Sequence, residues 1–272
     1  MAKKGLLILA LAALIAGGAF AIDGLYAGAE VRVDDFMADE IIDNLIIRPY
    51  VGFETSLDMG LDAYAELSIP ILFTKAGDTE IDFGLGIDLG ATYYLELSRT
   101  SELALSLDVF IENWFVDGSK IGVGMEFGAL FTQFMDFGDL YIGIDVPFNI
   151  TNYWVKDPFD FVGLNITVGV DNIANAIGAG LTLYNDIQPD VDFAQYVDIF
   201  GSYTAGPLFA QLTIGIPLYK DGFKIEGLTI IPYAEYSLDM GLKIYGEIPI
   251  MGIAADLRDL GIGLLLGAKF SF

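Results

Sequence analysis

The chain has no cysteine and no histidine among its 272 residues, and only 13 Lys and Arg against 38 Asp and Glu. Without cysteine there is no disulfide framework and no thiolate chemistry. Without histidine the commonest general base and the commonest transition-metal ligand are missing, so Ser-His and Asp-His mechanisms are excluded. The acidic balance argues against nucleic acid as a partner. A long apolar run is also lacking. Past residue 21 nothing approaches the roughly 18 consecutive apolar residues of a membrane helix. Yet the chain is 54% hydrophobic, with mean hydropathy +0.55.

What is present is alternation. Apolar and acidic residues interleave with period two, which specifies strands rather than helices. Ahead of them, Lys3 and Lys4, the apolar stretch Gly5 to Ile15 and Ala19-Phe20-Ala21 have the layout of a Sec-type export signal. Cleavage is expected after residue 21, leaving 22–272 as a single domain. It would remove two bases and no acid.

The alternation is clearest at the C-terminus. Ile262, Leu264, Leu266, Ala268, Phe270 and Phe272 share one face, and Gly261, Gly263, Gly267, Lys269 and Ser271 the other. Residues 24–33, 46–56, 61–73 and 81–97 follow the same rule. So do 102–112, 121–134, 139–150, 161–171, 176–184, 194–203, 207–219, 227–237, 241–251 and 260–272. The phase at 194–203 is the weakest, because Asp192, Asp198 and Tyr196 mix the pattern. Such segments recur about every 18 residues and predict about 14 strands, with 12 or 16 open.

One face of these strands carries no charge. A closed sheet in a lipid bilayer has that requirement, since a barrel satisfies every backbone group and only its outside meets lipid. The predicted fold is therefore an all-β, transmembrane, antiparallel up-and-down barrel. Tight turns are expected at 57–60, 99–101, 136–138, 205–207 and 239–241, where Asp, Gly and Pro cluster. Longer acidic connections fall at 34–44, 74–79, 113–120, 152–160, 185–192, 220–226 and 253–259, with Trp114 and Trp154 at that outer rim. Ser56-Leu57-Asp58-Met59-Gly60-Leu61 recurs as Ser237 to Leu242, with Pro-Tyr before each copy and Ile-Pro-Ile after it. Related strand pairs thus flank the middle of the chain. The late-strand prolines Pro70, Pro147, Pro217 and Pro249 predict bulges or rim positions.

The inward face holds the functional signal. Its expected carboxylates are Glu30, Glu54, Asp62, Glu66, Asp82, Asp88, Glu96, Glu102, Asp108, Glu112, Glu126, Asp145, Asp171, Asp198, Glu235 and Glu247. Its bases are Arg32, Arg48, Lys243 and Lys269. Many other inward positions are glycine. So few bases cannot pair so many acids, and unpaired buried charge is costly, which predicts a wet interior. Rings of Asp and Glu favour cations and repel anions. The expectation is a passive diffusion pore for small hydrophilic solutes with cation preference. The alternative is a non-conducting structural or adhesive barrel that displays its loops. Scattered acids make no catalytic pair, and neither a calcium loop nor a phosphate cradle is spelled out. No enzyme activity, cofactor or metal is expected.

With its export signal, period-two strands and terminal Gly267-Ala268-Lys269-Phe270-Ser271-Phe272, the chain resembles bacterial outer-membrane β-barrel proteins of the porin type over residues 22–272. That resemblance implies outer-membrane lipid as surroundings. It also implies the barrel assembly machinery as a partner, with Phe270 and Phe272 as its signal. It includes no plug or passenger domain. The short loops leave no long constriction loop, which points to a monomer.

Overall fold

The computed structural model describes residues 24–34, 45–74, 80–114, 121–151, 160–161, 163–186, 194–219, 222–223, 227–253 and 261–272. The proposed export signal and Trp154 lie outside them. The described residues form one antiparallel sheet of 14 strands closed on itself. In chain order these are β1 (Leu25–Val33), β2 (Leu45–Leu57) and β3 (Leu61–Ser68, resuming at Ile71–Thr74). Next come β4 (Glu80–Ser98), β5 (Ser101–Trp114), β6 (Ile121–Met135) and β7 (Gly138–Thr151). Then follow β8 (Gly163–Ile173, preceded by Asp160–Phe161), β9 (Ile177–Asp186), β10 (Ala194–Ala205) and β11 (Leu208–Tyr219). The last three are β12 (Leu228–Ser237, preceded by Gly222–Phe223), β13 (Leu242–Glu247, resuming at Ile250–Ile253) and β14 (Leu264–Ser271, preceded by Gly261–Ile262).

Each strand pairs with its neighbours in sequence, and β1 closes the ring by pairing with both β2 and β14. Glu30 stands opposite Arg48 on one side and Gly267 on the other. Directly opposed residues share a face, so the register carries one parity around the whole barrel. The outward parity carries no Asp, Glu, Lys or Arg in any described strand. Its apolar side chains are exposed, with Leu97 at 56%, Ile121 at 53% and Leu266 at 52%. Only Tyr26, Val33 and Tyr50 are buried among the described hydrophobic residues. A water-soluble domain does not leave so continuous an apolar belt uncovered. A bilayer supplies the missing cover. The uncertain segment at 194–203 is fixed by its neighbours, with Tyr196 opposite Tyr184 and Asp198 opposite Thr182.

The tight connections share one rim with the start of β1 and the end of β14. The two repeat copies turn alike. Gly60 and Gly241 have positive φ, and each glycine carbonyl accepts from the next strand, from the N–H of Tyr94 and of Ser271. A sixth tight turn joins β8 to β9 with Asn172, Ala174 and Asn175 at positive φ. It was not apparent as a turn because it contains neither glycine nor proline; the paired asparagines, which tolerate that conformation, were its signal.

The prolines fall where ladders stop. Ile69-Pro70 interrupts β3, and Ile248-Pro249 interrupts β13. In matching fashion, Ile69 N–H donates to the Pro49 carbonyl and Ile248 N–H to that of Pro232. Pro147 and Pro217 lie within strands, each in a gap of one ladder, between Asp145 and Phe148 and between Gly215 and Leu218.

Candidate lumenal site

All the acids and bases named from the sequence fall on the parity opposite the apolar belt. That face is concave, since side chains two strands apart meet on it. Tyr26 on β1 donates its hydroxyl hydrogen to Glu66 on β3 (3.1 Å). Arg48 on β2 reaches Asp88 on β4 (2.7 Å).

Arg48 organises the densest part of this face. Its guanidinium lies 2.7 Å from Asp88, 2.9 Å from Glu66 and 3.5 Å from Glu30. Glu30 also accepts from the Tyr245 hydroxyl (2.6 Å), which lies 3.2 Å from that of Tyr50. A rigid, always-charged fork of donors suits this better than an ammonium would. Lys269 pairs with Glu54 (2.9 Å), and its ammonium stands 3.6 Å from the ring centroid of Tyr26. Lys243 pairs with Glu235 (2.8 Å). Arg32 is exposed toward the loop-bearing rim, where it pairs with Asp34.

The remaining acids are placed by register. Asp108 is opposite Glu126, Glu96 opposite Glu102, and Asp171 opposite Asp139. Asp82 faces Leu72, Glu112 faces Gly86 and Gly122, Asp145 faces Gly128 and Asn165, and Glu247 faces Tyr233 and Leu265. Asp62 lies beside the Tyr94 hydroxyl, and Asp198 beside that of Tyr184. Tyr64 donates to Asp108 (2.9 Å). Trp114 ends β5 at the loop-bearing rim, in register with Gly84.

Sequence reasoning missed the tyrosines as partners of these acids, and it took the glycines only as open space. Each of several lumenal rings instead rests on the glycine directly opposite it. A Cβ on Gly52 would stand 2.2 Å from Tyr26, one on Gly90 2.0 Å from Tyr64, and one on Gly124 1.9 Å from Phe110. The same holds for Tyr50 on Gly28, Tyr141 on Gly169, Phe200 on Gly180 and Tyr245 on Gly267. The aromatic-glycine alternation on one parity was the available signal. Glycine lets a ring lie against the wall, so bulk is stored along the sheet rather than across the lumen. Cavities of about 380 Å³ beside Arg48 and about 480 Å³ beside Lys269 and Tyr64 stay open between these rings.

No family model matches the chain, and no curated protein does either. Solved structures do. Over 93% of its length the chain superposes on the P. putida toluene transporter TodX at TM-score 0.54 and 10% identity, covering 91% of that protein. On the monoaromatic hydrocarbon channel CymD the figures are TM-score 0.55 and 8% identity, with 93% of this chain and 90% of that one covered. CdiB from Acinetobacter baumannii matches 92% of the chain at TM-score 0.52 and 10% identity, although the chain spans only 60% of CdiB's length. At such identities the likeness is one of fold.

Proposed function

We propose that this barrel is an outer-membrane channel through which small hydrophilic solutes diffuse passively, with preference for cations. The observation that carries the reading is the concave face: among the described residues it concentrates carboxylates and carries only Arg32, Arg48, Lys243 and Lys269 as bases. With Arg48 shared among three acids, the excess negative charge is uncompensated by protein, and water and mobile cations supply the balance. Fourteen strands enclose more room than the eight whose interior side chains fill. TodX and CymD are described as carrying hydrocarbons. An equivalent apolar passage is not what this lumen offers, because its cavities are edged by Glu30, Asp88, Glu112, Glu54 and Asp62. We also propose that residues 1–21 are removed on export, that the chain is inserted by the barrel assembly machinery through Phe270 and Phe272, and that it works as a monomer.

The test is a reversal potential. Refolded protein in a planar bilayer under a KCl gradient should give stepwise conductance with a cation-signed potential. Neutralising Asp82, Asp88 and Glu66 should move that potential toward zero. A folded, heat-modifiable barrel that never conducts would refute the channel and leave a structural or adhesive role.

A further inference from the structure

The lumenal face is uneven around its circumference. Its four bases stand on β13, β14, β1 and β2 alone. From β4 to β11 no described strand residue is Lys or Arg, and Arg99 lies in a tight turn. On this base-free wall a cavity of about 410 Å³ opens, edged by Thr92, Tyr94, Ser106, Tyr141, Asp145 and Thr167. Its size is within the range of small-ligand sites. Its polar lining is phenol, hydroxyl and a carboxylate. Asp145 makes no ion pair among the described residues.

The opposite wall shows what such a lining accepts. There Tyr26 rests on Gly52 and carries the Lys269 ammonium over its ring, beside Glu54. Tyr141 rests on Gly169 in the same way with no base beside it among the described residues, and Asp145, four residues along the same strand, edges the same cavity. We propose that this cavity binds small organic cations, amines or quaternary ammonium ions. The ring attracts the charge through its quadrupole, Asp145 balances it, and the hydroxyls of Thr92, Ser106 and Thr167 accept from any N–H. A bare divalent metal is a poorer fit: no group of three or more carboxylates able to hold one exists among the described residues. Placing the site on a transit path rests on the channel reading; the site itself does not.

Two measurements on the refolded protein separate these ideas. One is reduction of KCl current by added tetramethylammonium. The other is binding of labelled tetramethylammonium by equilibrium dialysis in detergent. Saturable binding and matching current reduction are expected. Tyr141→Leu and Asp145→Asn should each weaken both about fivefold, the loss of one cation–π or charge contact. Tyr141→Phe, which keeps a ring over Gly169, should hold near the parent value. A channel that conducts K⁺ while tetramethylammonium neither binds nor lowers the current overturns the site and leaves the pore standing. So does binding indifferent to both Asp145→Asn and Tyr141→Leu. Saturable binding weakened by those two changes in a barrel that does not conduct keeps the site and removes the pore.

Discussion

Replacing Arg48 with methionine keeps most of the side chain's length and deletes its charge. Three carboxylates then lose their shared partner, at 2.7 Å (Asp88), 2.9 Å (Glu66) and 3.5 Å (Glu30). Breaking a fully buried pair costs about 3–5 kcal/mol, and an exposed pair is worth about 0–1 kcal/mol. Arg48 is 32% exposed and its partners 15–30%. The loss therefore falls between these limits, at about 2–3 kcal/mol in guanidinium unfolding from lipid vesicles. The double variant Arg48→Met/Glu66→Gln should recover part of it, because one of the mutually repelling carboxylates has gone. Arg48→Lys should be intermediate, since a compact ammonium cannot hold all three acids at once. The lumen also becomes more negative, so the reversal potential should move further toward cations. Unchanged stability together with an unmoved or anion-shifted potential would refute the reasoning about this cluster.

Gly124→Val puts a Cβ 1.9 Å from Phe110, so the ring must leave the wall. Stability should fall by about 1–3 kcal/mol, and single-channel conductance should drop as the ring enters the lumen, whereas Gly122→Ala, whose Cβ would meet nothing nearer than 3.8 Å, should be tolerated. Leu89→Arg, on the apolar belt at 43% exposure in the middle of β4, should cost about 2–4 kcal/mol in vesicles, against little for Asp88→Asn one residue away on the other face. Deleting Phe272 removes the N–H that donates to the Leu25 carbonyl (2.9 Å) and a ring packed on Phe270. Assembly in cells, followed as the heat-modifiable fraction, should fall sharply while refolding in detergent survives. Equal loss in both settings would make the role of Phe272 structural.

Strand number, phase and the charge-free belt were legible because a period of two leaves nothing else for these side chains to do. Even the doubtful strand around Tyr196 obeys it once Tyr184 and Thr182 stand opposite. The site was legible only as a face. Glu30, Arg48, Glu66 and Asp88 lie on four strands, and alternation says nothing about which of them lean together. That depends on curvature, which draws side chains two strands apart into contact on the concave side. The resting of Tyr141 on Gly169 was hidden for the same reason: opposition is a property of register, fixed by the turns and not by either residue alone.

The confinement of bases to β13, β14, β1 and β2 has a physical cause in the topology. Every other pairing joins strands consecutive in sequence, and closing a short hairpin costs little entropy. The β1–β14 seam must instead bring together residues more than 200 positions apart, such as Tyr50 and the Ala268 carbonyl. Nonlocal closure of that kind needs specific contacts across it. Lys269 with Glu54, Tyr245 with Glu30 and Tyr50 with Tyr245 all link β13 or β14 to β1 or β2. Charge-assisted bonds give the seam a register that apolar packing against lipid cannot, because lipid is as apolar as the belt itself. The hairpins from β4 to β11 have no such need. A base placed there would neutralise acids without helping closure. Their wall is thus left negative, ring-covered and open, as the proposed cation path requires.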